Sequence, residues 1–121
     1  MPILELDWIG PIMDSSRRSL ARRVADAAGA ALGAEPRTVW VRVRFAAPDE
    51  YAENESPALD EHPVIVRILS AEPPQGEALA DESRRLTEAI AQACGRPTTN
   101  VHLIWEPPGR GRVSFGGTLR T

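Results

Sequence analysis

Two pairs of prolines share one spacing: Pro2 and Pro63 stand sixty-one positions apart, and so do Pro36 and Pro97. Around both pairs the same order of signals recurs, and a repeat of that length constrains the fold more than any single motif does. Ile3–Ile9 alternates in character, with Leu4, Leu6 and Trp8 on one face, and reads as a strand. Gly10-Pro11 breaks it. Asp14, Ser15 and Ser16 offer helix caps, and Leu20, Val24, Ala27, Ala28, Ala31 and Leu32 follow at helical spacing until Gly33 and Pro36. Val39–Phe45 is a second alternating strand, with the valines and Phe45 on one face and Trp40, Arg42 and Arg44 on the other.

The second half repeats the plan. Val64–Leu69 is rich in β-branched residues and reads as a strand, which Pro73-Pro74 ends. A helix is predicted from Gly76 or Glu77 to Cys94, with Leu79, Leu86, Ile90 and Ala93 inward. After Gly95 and Pro97, Val101–Trp105 closes the second unit. The two β-α-β units occupy about residues 2–45 and 63–117, joined by a connector over 46–62. Parallel strands with right-handed crossovers then predict one α/β (α+β) domain spanning 1–121, a four-stranded sheet with two helices on one face. Its other face is left bare, so the arginines and tryptophan there need a partner, which predicts an oligomer with sheets facing one another.

Charge narrows the function classes. Fourteen basic residues against seventeen acidic ones give a net charge of -3, which argues against a nucleic-acid binder that works by neutralising phosphates. Asp49, Glu50, Glu53, Glu55, Asp60 and Glu61 all lie in the connector, so the remaining chain is mildly basic and suited to small anions. Every basic residue is arginine. Without lysine there is no side-chain Schiff base and no phosphate loop ending in Gly-Lys-Ser/Thr. The single cysteine, Cys94, excludes an intrachain disulfide and any site of paired cysteines, and two histidines are too few for a metal cluster. No apolar run approaches the roughly 20 residues that span a bilayer, and no signal-peptide pattern opens the chain. A cytoplasmic protein without membrane, nucleic-acid or cofactor partners is the expectation.

The pattern resembles the tautomerase superfamily in its fused form. Met1-Pro2 leading into a strand, two β-α-β units of about sixty residues, Leu86-Thr87-Glu88-Ala89-Ile90 through Pro97, Val101–Ile104, Glu106-Pro107 and Phe115-Gly116-Gly117 carry the resemblance. That series is similar to the second half of 4-oxalocrotonate tautomerase, while Pro2–Asp7 and Val24–Ala27 are similar to malonate semialdehyde decarboxylase. The resemblance implies a four-stranded mixed sheet, a homotrimer, a small 2-oxo or unsaturated carboxylic acid as substrate, no cofactor, and Pro2 as catalytic base. Elementary chemistry agrees on the base. If Met1 is removed, Pro2 is a free secondary amine, and a terminal amine titrates near ~7.7–8.0, within reach of a neutral, proton-accepting form. Pro63 is a mid-chain amide with no basic lone pair.

The remaining site residues are less sharply marked. An arginine that the family carries after the first strand is replaced by Gly10-Pro11-Ile12, and the arginine pair of the fused decarboxylase by Ser70–Pro74. Hydration, dehalogenation or decarboxylation therefore stands second to keto-enol isomerisation, with a non-catalytic member of the fold as a third reading. Arg42, Arg44 and Arg67 are the strand arginines placed to grip a carboxylate bidentately, or else to form ion pairs on the open face. Trp40, Trp105 and Val113 are candidates to line an apolar pocket, with packing between subunits as the other use of the tryptophans. His102 is placed to bind an anion when protonated, or to be a hydrogen-bonded structural histidine. Arg110 and Arg112 lie in a Gly-rich hairpin, as mobile ligands or as solvated loop residues.

Overall fold

The computed structural model describes residues 1–56 and 62–121. Residues 57–61, within the acidic connector expected over 46–62, lie outside the described residues. The elements run β1 (Ile3–Ile9), α1 (Asp14–Leu32), β2 (Trp40–Ala46), β3 (Val64–Leu69), α2 (Gly76–Cys94), β4 (Val101–Trp105), then a short hairpin of β5 (Ser114–Phe115) and β6 (Thr118–Leu119). Single 3-10 turns at Pro48–Glu50 and Thr98–Asn100 were not signalled by periodicity.

The main sheet has the order β2-β1-β3-β4. Pairing is parallel between β1 and β2 and between β3 and β4, and antiparallel between β1 and β3, so the sheet is mixed as expected. One face carries the core. Leu4, Leu6, Val64, Val66 and Ile68 from the central strands meet Leu20, Val24 and Ala28 of α1 and Leu86, Ile90 and Ala91 of α2, all of them buried. Period two in the strands and a 3.6-residue stripe in the helices are what turn these side chains to a common layer.

Helix ends follow the sequence at one terminus and depart from it at the other. Gly33 and Gly95 take up left-handed backbone at the C-caps (φ 60° and 66°) and donate back to the last turn of their helices. A side chain is rarely tolerated there. At the start of α1, however, Asp14 is already helical, Met13 is the N-cap, and no side chain caps the free N–H groups. The expected capping by Asp14, Ser15 or Ser16 is therefore corrected: all three lie inside the first turn. Ser16 and Ser19 instead accept hydrogen bonds from the Arg23 guanidinium. Asp14 still benefits α1 by placing a negative charge at its positive end.

One arginine ties the two halves together at the far end of the sheet. The Arg96 guanidinium donates to the carbonyls of His62 (2.9 Å), Pro63 (3.0 Å) and Ile9 (2.8 Å). Its face lies over the Trp8 ring, 3.7 Å from the centroid. Gly10 is packed so closely beneath His62 that a Cβ would come within 2.5 Å of the imidazole, and its φ of 100° excludes most side chains in any case. Thus the end of β1, the start of β3 and the end of α2 are held by one planar fork.

Two outcomes follow for stability. Arg96→Lys keeps the charge and loses the fork, so it should lower the urea unfolding free energy by roughly 1.5–3 kcal/mol with an unchanged m-value. Next to this clasp, burial pushes the Cys94 thiol from 9.0 up to about 11, against the opposing pull of Arg96 and Arg23. Folding thus favours the neutral thiol. That contribution is intact below pH 9 and disappears as pH rises towards 11. Iodoacetamide at pH 8 should leave the folded protein unmodified while alkylating the urea-unfolded chain.

Candidate active site

The antiparallel register sets Ile3 opposite Leu69, so the residue before β1 lies beside the segment that follows β3. The Pro2 carbonyl accepts the Trp40 N–H at 3.1 Å, which pins the amino end to the start of β2. Ile68 pairs with Trp105, so the end of β4 arrives at the same edge. A cavity of about 310 Å³ opens there, with Met1 and Pro2 in its wall. Leu32, Ile68 and Trp105 supply apolar surface, and Thr38 and Ser70 supply hydroxyls. The Trp105 ring is held by a hydrogen bond from its Nε1 to the Ser83 hydroxyl of α2, at 2.9 Å.

The charged residues of this wall are acids. Glu72, from the loop after β3, and Glu82, from α2, both line it, and no arginine does among the described residues. Glu72 is paired with Arg110 at 3.0 Å, while Glu82 makes no hydrogen bond or ion pair among the described residues. The backbone N–H groups of Gly109 and Arg110 donate to Ser70 (2.8 Å) and Ala71 (3.3 Å), which lays the Gly-rich segment against the cavity loop. Arg110 is thereby drawn to the rim through Glu72, whereas Arg112 is exposed.

The strand arginines stand elsewhere. Arg42 is paired with Glu5, Arg44 with Asp7 at 3.0 Å, and Arg67 with Glu106 at 3.1 Å. All lie on the bare face of the sheet, and the registers place Glu5 opposite both Arg42 and Arg67. His102 is exposed on the same face, opposite Ile65. Trp40 is half-exposed, with its ring edge-to-face against Phe115 at 5.3 Å and its Nε1 donating to the Arg37 carbonyl. Val113 is half-buried in the hairpin approach, where its carbonyl accepts the Arg120 N–H. Of the sequence candidates, only Pro2 and Trp105 come together in the wall of the cavity.

Sequence reasoning missed Glu82, although a signal was present. Leu79, Glu82, Leu86 and Ile90 fall at spacings of three and four on one face of α2, so the acid interrupts an apolar stripe that faces inward. Thr38 and Ser70 carried no comparable mark. Among the described residues no group of three or more metal-ligating side chains occurs, and no helix is long and apolar enough to cross a membrane.

No protein-family model and no curated protein matches the sequence. Solved structures do match the fold. A native fused 4-OT superimposes with a TM-score of 0.78 at 16% identity, covering 98% of this chain and 95% of that one. A wild-type fused 4-OT described as a symmetric trimer gives 0.75 at 13% identity, with 98% and 94% covered. A malonate semialdehyde decarboxylase gives 0.70 at 20% identity, with 94% and 90% covered. The chain therefore shares its fold with fused 4-OT and with malonate semialdehyde decarboxylase.

Exposed ion pairs of the kind seen on the bare face contribute about 0–1 kcal/mol each. In the dissociated single chain, exchanging Arg42, Arg44 or Arg67 for glutamine should therefore change the unfolding free energy by less than about 1 kcal/mol, in contrast to Arg96. A ten- to hundred-fold loss of kcat/KM in any of the three would assign it to substrate instead.

Proposed function

We propose that this chain, once Met1 is removed, is a cofactor-independent isomerase of the tautomerase type that interconverts the enol and keto forms of a small 2-oxo compound. The observation that carries this reading is the position of Pro2, in the wall of a cavity at the joint edge of all four strands, within a fold shared with fused 4-OT. Sequence reasoning expects the substrate as its carboxylic acid, bound by arginine.

The chemistry needs one group that can both take and give a proton. In the enol-to-keto direction, the neutral Pro2 amine accepts the proton of the enol O–H. The O–H pair becomes the C=O π bond, the C=C pair takes a proton at carbon, and the amine returns that proton. Thr38 and Ser70 are the hydroxyls available to donate to the carbonyl oxygen. Leu32, Ile68 and Trp105 exclude water and favour the uncharged form of the amine by limiting its solvation. Decarboxylation or dehalogenation receives less support, because the loop that reaches the cavity presents Ser70 and Glu72 where the resemblance leads one to expect an arginine pair.

Assembly belongs to the same reading. The bare face exposes Trp40 and Ile104 between its ion pairs, and a fused 4-OT of this fold is a trimer. We take this chain to be a homotrimer with those faces turned inward. Sedimentation at micromolar concentration should give three chains, and a stable monomer would remove this part of the proposal.

The catalytic part is tested with three forms of the protein: trimmed, Met1-bearing, and trimmed Pro2→Ala. Turnover of enol-phenylpyruvate, or of its methyl ester, by the last two should fall at least ~10²-fold below the first, as expected for loss of a general base. Equal rates in all three with both compounds would eliminate Pro2 as the catalyst. Intact mass establishes which form is being assayed.

A further inference from the structure

The unpartnered carboxylate of Glu82 sits in the wall of a cavity whose other charge is already balanced. Glu72 has its counter-ion in Arg110. Arg42, Arg44 and Arg67 are committed to Glu5, Asp7 and Glu106 on the bare face of the sheet. No guanidinium lines the cavity among the described residues. When the terminal amine is in its neutral, proton-accepting form, Glu82 is the one uncompensated charge that this chain's described residues bring to the wall.

We infer that Glu82 is the specificity-determining residue of this cavity: it turns away carboxylates and selects an uncharged carbonyl compound, such as a 2-oxo ester or amide or an aryl ketone. The inference rests on the proposed isomerase site and narrows its substrate class.

Electrostatics sets the preference. A carboxylate brought into a partly desolvated cavity meets Glu82 at close range, and like charges at such separations repel strongly once water no longer screens them. Each carboxylate also loses its hydration on entry, with no arginine fork to replace it. Thr38 and Ser70 can satisfy a carbonyl or amide oxygen without any charge, and Leu32, Ile68 and Trp105 receive an apolar body. With Met1 still in its wall the cavity holds about 310 Å³, at the small end of ligand sites, and removal of Met1 opens it further beside Pro2.

The placement of Glu82 explains why an acid is tolerated in the inward stripe of α2. It stands between Leu79 and Leu86 at half-burial, facing the cavity edge where solvent still reaches it. Deeper positions of the same stripe, Leu86 and Ile90, are fully buried and apolar.

The test uses two non-reacting ligands of the same shape and different charge, 3-phenylpropionamide and 3-phenylpropionate. Binding to the trimmed full-length protein is followed by titration calorimetry at pH 7.5. The amide should bind at least about tenfold more tightly than the acid. Glu82→Gln, which keeps the shape and removes the charge, should bring the two affinities within about twofold, mainly by improving the acid. Glu82→Ala serves as a second neutral variant should the glutamine protein fold poorly. Equal or acid-favouring affinities in the wild type, binding of neither ligand, or an unchanged ratio in both neutral variants would overturn the inference. The isomerase reading is judged separately, by turnover of enol-phenylpyruvate and its methyl ester in the trimmed and Pro2→Ala proteins. A charge preference in binding with no dependence of turnover on Pro2 would sink that reading and leave the role of Glu82 intact.

Discussion

The antiparallel register of β1 against β3 is the constraint on which the rest of the molecule depends. With Ile3 opposite Leu69, the start of the chain meets the loop that carries Ser70 and Glu72. A slip of one residue would turn Leu4, Leu6, Val66 and Ile68 out of the core and Glu5 and Arg67 into it. The apolar face therefore enforces the very pairing that builds the cavity. Within each unit the parallel pairing is secured by its own helix; between units the antiparallel pairing joins the strands, while the shared core of α1 and α2 and the Arg96 clasp reinforce it.

The Arg96 clasp works at the opposite end of that same pairing. It collects the carbonyls of Ile9, His62 and Pro63, which belong to the end of β1 and the approach to β3. The Pro63 carbonyl also accepts the Ile9 N–H at 3.3 Å, so the arginine fork reinforces the last rung of this pairing while its flat face covers Trp8. The repeat thus breaks its own symmetry. Near Pro63 the edge is tied by a guanidinium, whereas near Pro2 it is left hollow and lined by acids. Only the first of these prolines can become a terminal amine, and only the end of the sheet that holds it carries the free carboxylate of Glu82.

Periodicity read the architecture well because burial here is strictly one-sided. All four main strands lie where alternation puts them, and Trp40, Arg42 and Arg44 do face away from the helices. The start of α1 was misjudged because three polar residues in a row, Asp14, Ser15 and Ser16, offer equal local preference, and the chain's approach through Met13 decides among them. The candidate site was legible at Pro2 and Trp105 and obscure elsewhere. Whether an arginine is free or paired depends on which residue lies across the ladder, and that is a property of register. Composition alone, with its excess of arginine outside the connector, suggested an anion site that the pairing of those arginines removes from the cavity.

The distribution of ion pairs has a further meaning for assembly. Burying a charge without a partner is costly, whereas a pair formed within one chain carries its compensation along. Glu5 with Arg42, Asp7 with Arg44 and Glu106 with Arg67 convert six charges on the bare face into three neutral units, so that face can approach a copy of itself without needing matched charges from the partner. Trp40 and Ile104 then supply the apolar surface that rewards the contact. The arginines paired on the open face do not line the cavity beside Pro2. In this chain the demand of the open sheet face and the charge character of the cavity are two sides of one allocation: the basic groups go to the face, and the hollow beside Pro2 keeps its acids.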